Sequence, residues 1–115
     1  MQSKVRRTLV KSAPELWELA DDKARMEVWM AGLVGTPGPI PVEVTDRQPG
    51  RVLAWRAAEP PGADARIALE LAEKGLGTAV SVTAEHRRAD AAADAALERL
   101  LDELGSPRRR PFGRG

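Results

Sequence analysis

The sequence predicts an α+β domain, an antiparallel sheet covered on one face by helices, and three observations predict it. Four consecutive segments alternate apolar and polar residues and are separated by turn residues. A stripe of leucines at helical spacing follows them. Ahead of them, a short segment with β-branched residues leads into two helical motifs that meet at Asp21 and Asp22.

Taken in order, KVRRTLVKS (residues 4–12) carries Val5, Leu9 and Val10 in imperfect alternation, and its short length and β-branched content favour a strand. Ser12 and Glu15 form a capping box, Pro14 is tolerated in the first turn, and Ala13, Leu16, Trp17 and Ala20 share one helical face. Asp21 or Asp22 caps a second short helix, in which Met26, Trp29 and Met30 recur at three and four residues. GLVGTPGPIP, from Gly32 to Pro41, is too rich in Gly and Pro to continue that helix and is expected to be a loop or an irregular edge.

The strand segments then follow: PVEVTDR, a Pro49-Gly50 turn, RVLAWRAAE, the loop PPGAD, ARIALELAE, a Gly75-Leu76-Gly77 turn and TAVSVTAEHR. Ile67, Leu69 and Leu71 share one face opposite Arg66, Ala68 and Glu70, while Val80 and Val82 oppose Ser81 and Thr83. One face is therefore wet and the other packed. The packed face needs a cover, and residues 90–104 supply it through Ala93, Leu97, Leu100, Leu101 and Leu104, with Asp94, Glu98, Asp102 and Glu103 on the solvated side. Gly105 and Pro107 end this helix. The first strand precedes helices rather than a hairpin, so it is expected to pair with the last one, giving the order first, fifth, fourth, third, second.

At 115 residues the chain is one domain by length, residues 1–105, followed by a basic tail, SPRRRPFGRG (residues 106–115), that is expected to be disordered. With 18 basic and 17 acidic residues the net charge is +1, which argues against a protein held to nucleic acid by its overall field. The tail arginines, Arg108, Arg109, Arg110 and Arg114, read as a solubilising end, or as a contact for nucleic acid, anionic lipid or an acidic partner. There is no cysteine, so thiolate chemistry and disulfides are excluded, and the single histidine rules out a histidine-rich metal site within one chain. The N-terminus lacks the apolar run of a signal peptide and no long apolar stretch occurs, so we expect a soluble cytoplasmic protein with no membrane span.

This arrangement resembles the helix-grip fold of the START/Bet v 1-like (SRPBCC) superfamily, and its wording is similar to the bacterial polyketide cyclase/dehydrase or Hsp90-ATPase-activator-homologue-like branch. The residues that carry the resemblance are Ala13-Pro14-Glu15-Leu16-Trp17 with Asp21, Asp22 and Trp29, then Val42 to Arg56, Ile67 to Leu71 and Gly77 to Thr83. The resemblance spans residues 4–104. It implies a curved antiparallel sheet of about five strands, with two short helices and a long C-terminal helix on its concave face. It also implies that the space between sheet and long helix takes an apolar ligand. Only 12 residues separate Trp29 from Val42, where relatives place a further strand or hairpin, so the groove is expected to be short, filled or open at one side.

Trp17, Trp29 and Trp55 read either as pocket walls or as core, each seeking a partner for its indole N–H. Trp29, Met30, Trp55, Val82, Leu97 and Leu101 are the candidate ligand contacts. By alternation from Val80 and Val82, His86 falls on the inward face, as a polar anchor or proton donor, or as a terminal histidine that is solvated or bonded to a carboxylate. No Asp or Glu is tied to it by spacing, so no catalytic residue is assigned. Asp21-Asp22 and Asp102-Glu103 are explained by helix capping and a solvated helix face, with no calcium-loop pattern, and Gly75 and Gly77 precede no helix and so are turn residues rather than a phosphate cradle. No metal or cofactor is expected. The function expected is non-catalytic binding of a small hydrophobic molecule. The alternatives are a protein-interaction module or homodimerising domain without ligand and, third, an enzyme of the cyclase or dehydratase kind.

Overall fold

A computed structural model describes residues 2–59, 64–86 and 91–105. The chain order is β1 (Gln2–Leu9), α1 (Ala13–Ala20), α2 (Lys23–Val34), β2 (Val42–Gln48), β3 (Val52–Ala57), β4 (Arg66–Lys74), β5 (Gly77–Glu85) and α3 (Ala91–Gly105). The strands form one antiparallel sheet in the order β1-β5-β4-β3-β2, and the helices pack on its concave face in a helix-grip arrangement. Most of the PPGAD loop and the whole of the 106–115 tail lie outside the described residues.

Turn chemistry sets the hairpins. Pro49 and Gly50 occupy the centre of a turn closed by Arg51 N–H donating to the Gln48 carbonyl at 2.9 Å, and Gly50 takes φ 78°, as the second central position of a type II turn requires. In the β4–β5 hairpin, Lys74 pairs with Gly77 across Gly75 and Leu76, and Gly75 has φ 60°. Gly77 is thus the first residue of β5, not part of the turn proper. A Cβ there would lie 2.1 Å from the Leu9 carbonyl oxygen, so its lack of a side chain lets β1 run close alongside.

The helix boundaries follow from their caps. Ser12 Oγ accepts from Glu15 N–H at 3.3 Å, and Asp22 Oδ1 accepts from Ala24 N–H at 3.0 Å and Arg25 N–H at 3.4 Å. The expectation that α2 ends before Gly32 is corrected, because the helix continues through Gly32 to Val34. Burying Leu33 completely outweighs the roughly 1 kcal/mol cost of a helical glycine. The stop comes at Gly35, whose left-handed φ of 85° lets its N–H and that of Thr36 both reach the Ala31 carbonyl. The first strand also starts earlier than its pattern indicates and leaves the sheet after Leu9, so Val10 is 89% exposed.

The register lays out the concave face as a grid. One row across the sheet holds Val44, Trp55, Ile67, Ala84 and Ser3, and the next holds Arg47, Leu53, Leu69, Val82 and Val5. The inward side chains of β3, β4 and β5 in these rows are all buried, and Leu97, Leu100, Leu101 and Leu104 of α3 join them in one apolar cluster with Leu16, Met26 and Met30. An ion-pair clamp on one side fixes α3, where the Arg7 guanidinium on β1 reaches both Glu98 and Asp102. These acids are therefore engaged across the fold rather than merely solvated.

Candidate functional site

All seven predicted site residues are buried, at 6% exposure or less: Trp29, Met30, Trp55, Val82, His86, Leu97 and Leu101. Six of them belong to the apolar cluster between sheet and helices. The centre of the arrangement is the contact of Trp29, on α2, with Trp55, on β3: their rings lie 6.0 Å apart at 34°. The two indole N–H groups have different fates. That of Trp29 donates to Glu103 Oε1 on α3 at 3.0 Å, which draws α2 and α3 together and gives Glu103 a role the sequence pattern assigned to solvent. That of Trp55 is fully buried and has no hydrogen-bond partner among the described residues.

Trp55 lies one strand from the sheet edge. Its cross-strand neighbour on the same face is Val44 of β2, and Val44 is 39% exposed, so solvent reaches the concave face beside the buried donor. Further along that edge, the Arg47 guanidinium sits 5.5 Å over the ring of Trp17 and donates through Nε to Asp21 Oδ1 at 3.2 Å. Asp21 thereby ties the edge strand to the α1–α2 junction, while its neighbour Asp22 caps the start of α2. The Asp21 carboxyl is held below its ordinary value, first by its hydrogen bonds from Arg47 and then by the charge of that guanidinium. Trp17 is only partly buried and belongs to this rim rather than to the Trp29–Trp55 centre.

His86 is on the inward side, as alternation predicts, but at the end of the sheet just past β5, where its Nε2 lies 3.1 Å from Ser3 Oγ. On the opposite, convex face a shallow depression of about 60 Å³ is lined by Ala54, Arg66, Ile67, Ala68, Thr83 and Glu85. It is far below the few hundred Å³ of a small-molecule site. Among the described residues no group of His, Asp and Glu is arranged to hold a metal ion, and no helix is long and apolar enough to cross a membrane.

Sequence reasoning picked out the tryptophans but missed what surrounds them. Glu103, Val44, Arg47 and Ser3 take part through tertiary contacts. The only advance signal was the break in alternation along β2, where a bulge between Val44 and Asp46 brings Arg47 onto the same face as Val44.

No family model matches the chain, and no curated protein matches it. Solved structures do. CalU16 from Micromonospora echinospora superposes with a TM-score of 0.67 at 18% identity, over 90% of this chain and 71% of that one. The Aha1 dimer from Colwellia psychrerythraea gives 0.66 at 19% identity, over 91% and 96% of the two chains. A crystal structure from Deinococcus radiodurans gives 0.64 at 20% identity, over 91% and 98%. At such identities the likeness is one of fold, and it covers nearly the whole described domain.

Proposed function

We propose that this domain binds a small, largely apolar molecule carrying one hydrogen-bond acceptor between the sheet and α3, and that it does so without catalysis. The observation that carries this reading is the buried Trp55 N–H without a partner among the described residues. A buried donor left unmatched costs about 1–3 kcal/mol, and a ligand carbonyl, ether or hydroxyl oxygen placed against it recovers that amount. The surroundings fit an apolar body: Trp29, Met30, Val82, Leu97 and Leu101 share the cluster with Trp55. Access runs past Val44, the half-open position beside Trp55. Of the residues around Trp55, unbranched Met26 and Met30 are the ones best able to move aside for a ligand. His86 serves as a second polar anchor at the end of the sheet. The resemblance to the START/Bet v 1-like superfamily implies the same location and ligand class.

The test compares two ligands of one size, a long-chain methyl ketone and its parent hydrocarbon, for displacement of an environment-sensitive lipid probe. Wild-type protein should prefer the ketone by about tenfold. Trp55→Phe, which keeps an aromatic ring and removes the N–H, should lose that preference. Val82→Trp, which adds bulk at a fully buried position, should abolish probe uptake altogether. A wild-type protein that takes up neither probe nor ketone would remove the basis of the proposal. The second reading, an interaction or homodimerising module, is favoured by one fold neighbour being a dimer. A cyclase- or dehydratase-type reaction is the third reading; at His86 the structure shows the Ser3 hydroxyl beside Nε2.

A further inference from the structure

The two edges of the sheet are built differently. Along β2 the register shifts between Val44 and Asp46, and the charges there already have partners: Glu43 with Arg56, Arg47 with Asp21, and Asp46 with the Gln48 amide. A bulge is a common means of blocking strand addition. By contrast, β1 runs for 8 residues in unbroken register with β5, from Gln2 opposite Glu85 to Leu9 opposite Thr78. Because β1 has a strand on one side only among the described residues, alternate backbone N–H and C=O groups along it point away from the sheet. Its convex-face side chains, Gln2, Lys4, Arg6 and Thr8, are all exposed, and neither Lys4 nor Arg6 has an ion pair among the described residues. On the other face Val5 is half-buried, and Arg7 is neutralised by Glu98 and Asp102.

We propose that β1 is a docking edge for an extended acidic segment of another protein, which adds to the sheet as a strand. Its carboxylates, at every second position, lie beside Lys4 and Arg6, and a small apolar residue between them lies beside Val5. Charge complementarity selects this occupant over a second copy. Two-fold antiparallel pairing of β1 with β1, centred on Val5, sets Lys4 opposite Arg6 twice, and shifting the centre to Lys4 or Arg6 sets that cation opposite itself. Pairing β1 with the β2 edge of a copy meets the bulge. This surface is independent of the Trp55 region, which lies toward the opposite edge of the sheet.

The experiment titrates the full-length, isotope-labelled chain with a peptide of alternating Glu and Val, matched in length to β1, and follows backbone amide resonances. Shifts should concentrate on residues 2–9. A Lys-for-Glu peptide should bind about tenfold more weakly, and the Lys4→Glu/Arg6→Glu chain should reverse that order. A peptide methylated on alternate backbone nitrogens should lose binding to the wild-type chain, a result that needs no variant to fold. Equal binding of the methylated peptide would overturn strand addition, as would shifts centred on Trp29 and Trp55. Equal binding of the Glu and Lys peptides would overturn the acidic partner. Tighter binding of a single-stranded oligonucleotide would assign the strip to nucleic acid instead, and peptide-independent dimerisation through residues 2–9 would assign it to a second copy.

Discussion

Gly77→Ala should be the most damaging single-methyl change in the sheet, and the structure supplies the reason. The added Cβ would stand 2.1 Å from the Leu9 carbonyl oxygen and 3.1 Å from its carbon, and a Cβ needs at least 3.0 Å from such an atom. Backbone atoms must therefore separate by 3.0 − 2.1 = 0.9 Å. The next residue, Thr78, is fully buried and donates from Oγ1 to the Lys11 carbonyl at 2.7 Å. Lengthened by the same 0.9 Å, that bond reaches 3.6 Å and ceases to be a hydrogen bond. Stranding a buried hydroxyl costs about 1–3 kcal/mol, and loosening the Leu9–Thr78 ladder pair adds about 1 kcal/mol. The total, about 2–4 kcal/mol, corresponds to a fall in Tm of about 10–20 °C for a domain of this length.

The control is Gly75→Ala, two residues away. It meets no atom within 4 Å but must hold φ at 60°, a left-handed conformation that costs a side-chain-bearing residue about 1–2 kcal/mol. Urea denaturation of both variants measures the difference, and unchanged m-values would show that the two share the wild-type unfolding transition. If Gly77→Ala proves no worse than Gly75→Ala, β1 does not lie against the start of β5 as closely as described, and the close-packing argument fails.

Leu101→Ala removes a fully buried side chain from the face of α3 toward the sheet and should cost about 2–5 kcal/mol by chemical denaturation, so a loss under 1 kcal/mol would mean α3 is loosely seated. Glu103→Gln keeps an acceptor for the Trp29 indole and should leave the unfolding midpoint nearly unchanged, whereas Glu103→Leu leaves a mostly buried donor unmatched and should cost about 1–3 kcal/mol. The Asp21 carboxyl titrates below its ordinary value of 3.8 in the folded state, so the unfolded chain binds the proton more readily. Its contribution is complete above that ordinary value and is lost as pH falls through the lower, folded value. Urea midpoints measured down to about pH 2 should fall less steeply for Asp21→Asn than for wild type, and parallel curves would refute the Arg47–Asp21 link.

The elements and their order were legible because each strand's face is written in its alternation and each hairpin in its turn residues. Ile67, Leu69 and Leu71 against Val80 and Val82 set two buried faces. Pro49-Gly50 and Gly75 set two tight connections, and the position of β1 ahead of the helices left the β5 edge as its place. The continuation of α2 through Gly32 was not legible, because Gly and Pro density records intrinsic propensity while Leu33 is held by burial against distant residues. Nor was the Arg7 clamp, since its partners Glu98 and Asp102 lie more than 90 positions along the chain and read locally as a wet helix face.

The same distinction governs the candidate site. Trp29 and Trp55 share a residue type, a buried setting and a ring-to-ring contact, and from sequence they carry the same expectation of a partner for the indole N–H. Trp29 meets that expectation through Glu103, a residue whose local pattern pointed to solvent, whereas Trp55 does not meet it among the described residues. Which of two equivalent donors is satisfied depends on where α3 settles over the sheet, and that is a property of packing rather than of any segment. If the unmatched donor were only a packing accident, Trp55→Phe would relieve the cost of the buried N–H in the free protein and the ketone preference would be absent from the start. If the donor is reserved for a ligand, that preference should be present in wild type and vanish with the N–H, and Trp29→Phe, whose lost N–H already has a protein partner, should leave it in place. A ketone preference that survives Trp55→Phe but disappears with Trp29→Phe would reverse the assignment of the two tryptophans.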